Sequence, residues 1–270
     1  MSGVIFRATV CAALFASFFL VQAQERPAGA LSDSDLARIE FEQRLGAQVS
    51  GDLEFTDESG RATRLAEYYG NKPIIVVPGY YGCPMLCTMV LNGLVEAMQD
   101  MKWRPGKDFE ILSVSINPDE TPALAAAKKR SYIKRYGREG AAEGWHFLTG
   151  KTPAIRALTE TIGFDYRFDP ASGQYAHPSG VVILTPKGKV THYLLGVQFS
   201  SRDLYSSLKA AAAGEVGSPV QKLLLLCFHY NPVTGRYSPT ILGMLRMMSA
   251  ATVLGVCALI GNSLRKPRAP

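Results

Sequence analysis

The chain has 270 residues, 47% of them hydrophobic, and a formal charge of +6 with a pI near 9.0. That length and apolar content suffice for one full core with appendages. Five cysteines are too few for a disulfide framework, and no nucleic-acid-binding motif accompanies the positive charge.

Residues 4–21 form an apolar run broken only by Arg7, and Val21, Gln22 and Ala23 follow at cleavage spacing. This predicts a signal peptide over 1–23, or an uncleaved anchor. Either way the chain is exported, into a compartment that oxidises thiols. Residues 24–46 are polar and read as a leader or linker, with a helical pattern from Ser32 to Arg44. Leu53, Phe55, the Asp57-Glu58-Ser59-Gly60 turn, Ala62 and Leu65 predict a hairpin.

Ile74 to Val77 reads as a short buried strand. A glycine-rich turn, Gly79-Tyr80-Tyr81-Gly82, leads to Cys83 and Cys87 at the start of a helix running through Met98. Four residues make about one helical turn, so both sulfurs can share one face. A helix N-terminus also favours thiolate over thiol. The pair is either a redox couple or two ligands for a soft metal.

Phe109 to Ile116 is another strand. Asn117-Pro118-Asp119-Glu120-Thr121-Pro122 is a polar turn that opens a helix from Pro122 to Tyr136. Lys128, Lys129, Arg130, Lys134, Arg135 and Arg138 crowd this helix, as a solvated face or a docking face for an acidic partner. Trp145 to Gly150 is a short strand and turn. Thr152 to Ile162 is a helix with Thr152 as its cap. Val181–Thr185 and Val190–Leu195 are strands joined by a turn at Pro186–Lys189, and Arg202 to Ala213 is a last helix. The order predicts an α/β fold over residues 47–213, a thioredoxin-like mixed sheet with helices on both faces.

Residues 214–240 form a membrane-proximal linker that holds Cys227 and His229. These two suit either a second soft-metal site or plain apolar packing. Residues 241–264 are apolar except for Arg246, and predict a C-terminal transmembrane helix. Arg265, Lys266 and Arg268 place the C-terminus in the cytoplasm, and so the domain on the periplasmic side of the cytoplasmic membrane. Cys11 and Cys257 sit in apolar runs and read as inert.

Of the four histidines, His146 lies between Trp145 and Phe147 and reads as structural. His192 falls on an exposed strand position without a role. His177 lies in the loop Gln174–Gly180, directly before the Val181 strand. In a thioredoxin-like sheet that loop packs beside the cysteine-bearing helix end, where two sulfurs and an imidazole converge. Such a set suits Cu(I) and can hold Cu(II), whereas structural zinc wants a fourth protein ligand. A loop histidine of no consequence is the plain alternative. Met85 offers a further thioether or a core contact.

From Val49 to Ala213 the chain resembles the Sco/SenC family of copper-binding assembly factors for cytochrome c oxidase. The resemblance rests on Gly51-Asp52 and its hairpin, the Gly79-to-Cys87 stretch, Ser113-Val114-Ser115-Ile116-Asn117-Pro118-Asp119, Phe147-Leu148-Thr149-Gly150, and the His177 loop. It implies a thioredoxin-like fold, with Cys83, Cys87 and His177 as the ligands for Cu(I)/Cu(II) and Cys83 with Cys87 as a redox disulfide. It implies as partners cytochrome c oxidase subunit II, whose dinuclear copper centre is metallated or whose cysteines are kept reduced, and an upstream copper donor. Met85 replaces the family's usual acidic residue, Thr88 its proline and Asn117 its aspartate, and the membrane helix is C-terminal instead of N-terminal. A membrane-tethered thiol–disulfide oxidoreductase is the alternative. Such catalysts usually have two residues between their cysteines, not three, and need no imidazole. A peroxidase of the peroxiredoxin type wants an isolated attacking cysteine.

Overall fold

The computed structural model describes residues 30–32, 35, 39–217, 230–231, 236–237 and 247–256. β1 (Glu54–Thr56) and β2 (Ala62–Arg64) form the expected hairpin. The Asp57 carboxylate closes it by accepting from the Ser59 and Arg61 N–H groups at 2.9 and 3.0 Å, a local turn device of aspartate. Next come β3 (Ile74–Gly79), α1 (Leu86–Gln99), β4 (Glu110–Ser115), α2 (Pro122–Tyr136), the short α3 (Ala141–Gly144), β5 (Trp145–Leu148) and α4 (Thr152–Thr161). β6 (Arg167–Asp169) and β7 (Gln174–Ala176) make a second small hairpin, and β8 (Gly180–Leu184), β9 (Val190–Leu195) and α5 (Ser201–Ala212) complete the domain. Residues Tyr230–Asn231 pair antiparallel with Arg236–Tyr237.

Five strands share one sheet in the order β5-β4-β3-β8-β9. β3, β4 and β5 run parallel, while β8 and β9 are antiparallel additions. The sheet is therefore mixed, and its central strand is buried along its whole length. Alternation divides the strand between two cores. Ile75 and Val77 pack with Val90, Leu91, Leu94 and Met98 of α1, Tyr132 of α2 and Leu204 and Leu208 of α5. Ile74 and Val76 pack on the opposite face with Phe55, Leu65 and Ile155 and Leu158 of α4. Each such side chain contributes about 1.5–3 kcal/mol when fully buried.

The helices follow their sequence signals. In α2, Thr121 accepts the Leu124 N–H at 3.3 Å, Pro122 opens the first turn, and Gly137 closes the helix at φ 71°. α1 lies so close to the chain after β9 that a Cβ on Gly93 would stand 2.0 Å from the Val197 carbonyl oxygen. Part of the basic run on α2 is spent internally. Lys129 pairs with Glu58, Arg135 lies 3.5 Å from Glu96, and Arg138 donates to the Met101 carbonyl at 2.6 Å.

Several expectations change. The helical pattern from Ser32 to Arg44 does not make a helix over residues 39–44. Phe41 instead bridges Phe164 antiparallel, and its ring meets Phe164 and Tyr193 edge-on at 5.1 and 5.6 Å. Among the described residues the buried core thus begins at Phe41, ahead of residue 47. Thr152 is the first residue of α4, not its cap. Gln174–Ala176 is strand instead of loop. His192 is half-buried instead of exposed, because Gly217 lies against its ring. Its Nδ1 has no hydrogen-bond partner, and burial lowers its pKa.

Among the described residues no helix is long and apolar enough to cross a membrane. Residues 247–256 are helical and largely exposed, and the rest of the expected span over 241–264 lies outside the described residues. So do the signal segment 1–23, Cys11, Cys227, His229 and Cys257.

Candidate metal centre

The site is built where the central strand ends. β3 and β4 are parallel neighbours, so the loops that follow them leave from the same edge of the sheet. The β3 loop, Tyr80 to Met85, carries Cys83. The β4 loop carries Glu120, whose carboxylate accepts the N–H of Tyr81 at 2.8 Å and of Gly82 at 2.6 Å, and the Ser115 hydroxyl at 2.6 Å. These charge-assisted bonds hold the turn that presents the first cysteine.

α1 begins at Leu86, so only Cys87 is helical and Cys83 stands in the turn before it. The sulfurs still meet. The Cys87 N–H, one of the unpaired donors of a helix start, points at Cys83 Sγ at 3.4 Å. Cys87 Sγ in turn accepts the Tyr80 N–H at 3.3 Å. Gly79 is required beneath it, since a Cβ there would approach Cys87 Sγ to 2.9 Å.

His177 follows β7 and brings its Nε2 to 3.1 Å from Cys87 Sγ. Its Nδ1 lies 2.8 Å from the Pro178 carbonyl oxygen. A carbonyl only accepts, so Nδ1 carries the proton and the Nε2 lone pair faces the sulfurs. Fixing the tautomer through the far nitrogen is the usual way a ligating histidine is prepared. Tyr80 and Phe164 wall the ring at 5.9 and 5.6 Å.

The donor atoms of Cys83, Cys87 and His177 all lie within 4.8 Å of one another, and the residues are 7%, 8% and 8% exposed. Both cysteines are free thiols. The pair is electrostatically unequal. A hydrogen bond from the Cys87 thiol draws the Cys83 pKa well below its ordinary value against the effect of burial, helped by the backbone N–H groups of Cys87 and Met85. Burial pushes Cys87 well up, and the neighbouring Cys83 adds to this. Burial, then the Cys83 charge, also raises the Tyr80 phenol. Two sulfurs and one imidazole make a set for a soft ion, not for an oxygen-seeking cation.

The structure therefore brings together all three residues singled out in the sequence. His146 stays apart as a structural group, its ring tilted against Tyr68 at 4.5 Å and 3.4 Å from Glu110, which also binds Lys72 at 2.6 Å. Met85 is 46% exposed and makes no core contact of the expected kind. Glu120 was not legible as a site residue. Its signal is positional, an acidic side chain in the loop after the strand that neighbours the cysteine loop.

The SCO1/SenC family model matches residues 41–213, more than half of the chain. The chain belongs to the SCO1/SenC family. A curated human relative, the mitochondrial SCO2 homologue, is 23% identical over 157 residues, or 56% of this chain and 55% of that protein. The chain thus spans about half the length of the curated relative it matches. A crystal structure from Aquifex aeolicus VF5 is 28% identical with a TM-score of 0.55, covering 63% of this chain and 95% of that one. A SCO1/SenC family lipoprotein from Bacillus anthracis shares the fold at a TM-score of 0.51 and 18% identity, over 64% of this chain and 99% of that one. In this SCO1/SenC domain the cysteine turn, the Glu120 clamp and the His177 strand end all fall inside the matched residues.

Proposed function

We propose that this chain binds copper through Cys83, Cys87 and His177 and hands it to the dinuclear copper centre of cytochrome c oxidase subunit II. The observation that carries the reading is the buried Cys87–His177 contact at 3.1 Å, with the imidazole held in the tautomer that leaves Nε2 free to ligate. The donor set fits copper in both oxidation states, as two sulfurs favour Cu(I) and an imidazole serves either. Family membership supports the same cargo. Copper is carried, not used for turnover. Binding displaces the Cys87 proton, and delivery returns the pair to its metal-free form.

Oxidation of the pair to a Cys83–Cys87 disulfide forms one S–S bond and breaks that of a partner disulfide, which takes the two electrons to become a dithiol, while Cys87 gives up its proton. Both sulfur ligands are then lost, so redox state gates loading. The signal segment over 1–23 and the apolar run over 241–264 support a domain tethered by its C-terminus on the periplasmic side of the cytoplasmic membrane, where an upstream copper donor loads it. The test is transfer: the copper-loaded, reduced chain is mixed with apo subunit II, and the visible absorption of the dinuclear centre is followed. The centre should form with the parent and not with C83S/C87S. No transfer from a fully loaded parent would overturn the proposal.

A second reading is a membrane-tethered thiol–disulfide oxidoreductase. One observation favours it: the Cys87 N–H at the start of α1 points at Cys83 Sγ at 3.4 Å, as it would toward an attacking thiolate, with the second sulfur within 4.8 Å to resolve it. Reduction of oxidised subunit II by the metal-free reduced chain, undiminished in His177→Ala, would support it.

A further inference from the structure

The ligand atoms of the candidate centre are almost sealed, with Cys83, Cys87 and His177 at 7–8% exposure. An ion arriving on a carrier has to be met first by donors that reach solvent. Two methionines do. Met85, between the cysteines, is 46% exposed, and Met89 is 42% exposed. The core face of α1 is made by Val90, Leu91, Leu94 and Met98, so neither thioether is needed for packing.

Their placement links surface to site. Met85 is the residue before α1, two positions after Cys83 in the same turn. The Met89 N–H donates to the Met85 carbonyl oxygen at 3.0 Å, so one helical turn separates the two residues and they share a side of the helix. Helical side chains lean toward the N-terminus, which tilts the Met89 thioether toward Met85 and the Cys83 turn.

We propose that Met85 and Met89 form a surface capture site for Cu(I), which takes the ion from its carrier and passes it to Cys83. The proposal rests on the copper reading given above. A thioether is soft and neutral, so it selects Cu(I) over harder ions and gives up no proton on binding. A neutral donor also holds the ion less tightly than a thiolate, which makes the passage inward downhill. Each exchange forms one copper–sulfur bond and breaks one bond to the carrier or to a thioether. No electron moves, and the oxidation state is unchanged.

The test uses the reduced full chain and its M85L/M89L variant, which keeps volume and apolarity and removes only sulfur. Cu(I) is supplied as its bicinchoninate complex, and uptake is timed by loss of that colour. The variant should take up Cu(I) about tenfold more slowly, equivalent to about 1.4 kcal/mol in the barrier. Its final stoichiometry and affinity should match the parent, as should its uptake of Cu(II). An unchanged Cu(I) rate overturns the capture site and leaves an apolar patch for a protein partner. Equal slowing of Cu(II) overturns it too, because that points to altered access. A parent that binds no copper sinks both the copper reading and the capture site. A parent that binds copper with a variant of equal rate sinks the capture site alone.

Discussion

Replacing Glu120 with glutamine tests how the cysteine turn is held. The carboxylate accepts three hydrogen bonds, at 2.8 Å from Tyr81, 2.6 Å from Gly82 and 2.6 Å from Ser115. An amide keeps one accepting oxygen and turns the other position into a donor, so whichever way it rotates an N–H faces an N–H. The Ser115 hydroxyl has a second acceptor in the Asn117 carbonyl at 3.2 Å, and Gly82 is exposed. The loss is therefore nearer to one charge-assisted bond than to three, about 1.5–3 kcal/mol. For a domain of this size that lowers the melting temperature by roughly 3–12 °C, read by circular dichroism on the full chain. Copper affinity should fall with it, because Cys83 is presented by the same turn. An E120Q protein with the parent's melting temperature and copper affinity would refute the clamp.

Phe41→Ala should cost about 3–5 kcal/mol, the usual loss for a buried phenylalanine, seen as a lower urea midpoint; a midpoint at the parent's value would put the segment before residue 47 outside the folded core. Gly79→Ala should keep the fold by circular dichroism but weaken copper binding, since the new Cβ would stand 2.9 Å from Cys87 Sγ. Glu110 carries a pH prediction. Burial acts to raise its pKa, but hydrogen bonds from His146 and Lys72 outweigh that and hold it below the ordinary 4.5. A depressed folded-state pKa gives stability that is present above the unfolded value and lost as pH falls through the folded one. The stability gap between the parent and Glu110→Gln should thus be full at pH 6 and narrow as pH drops below about 4.5; a gap that widens on acidification would contradict the pairing.

The sequence announced most of the fold because its punctuation was strong. Thr121, Pro122 and Gly137 bracket α2, and the Pro186–Lys189 turn sets β8 against β9. It misled where local spacing imitated the wrong element. The spacing of Ile39 and Leu45 carries the expected helix on to Arg44, yet Phe41 is drawn into the core by Phe164 and Tyr193, a contact across the chain that periodicity cannot register. β6 and β7 are three residues each, too short for alternation to show. His192 was misplaced because its cover comes from beyond α5. At the site, the cysteines were legible from their spacing, and His177 from its position before a sheet strand together with the family resemblance. The inequality of the two thiols, the tautomer set by Pro178 and the Glu120 clamp depend on backbone groups brought in from separate loops, which no spacing encodes.

Copper titration of the reduced full chain beside His177→Ala tests the central claim most directly. The parent should bind one copper at the single Cys–Cys–His cluster found among the described residues, with sulfur ligation visible by X-ray absorption. His177→Ala should keep the parent's fold by circular dichroism and yet bind Cu(II) at least about tenfold more weakly, as expected when a prepared histidine is removed. Equal copper binding by the two proteins would contradict the three-ligand centre.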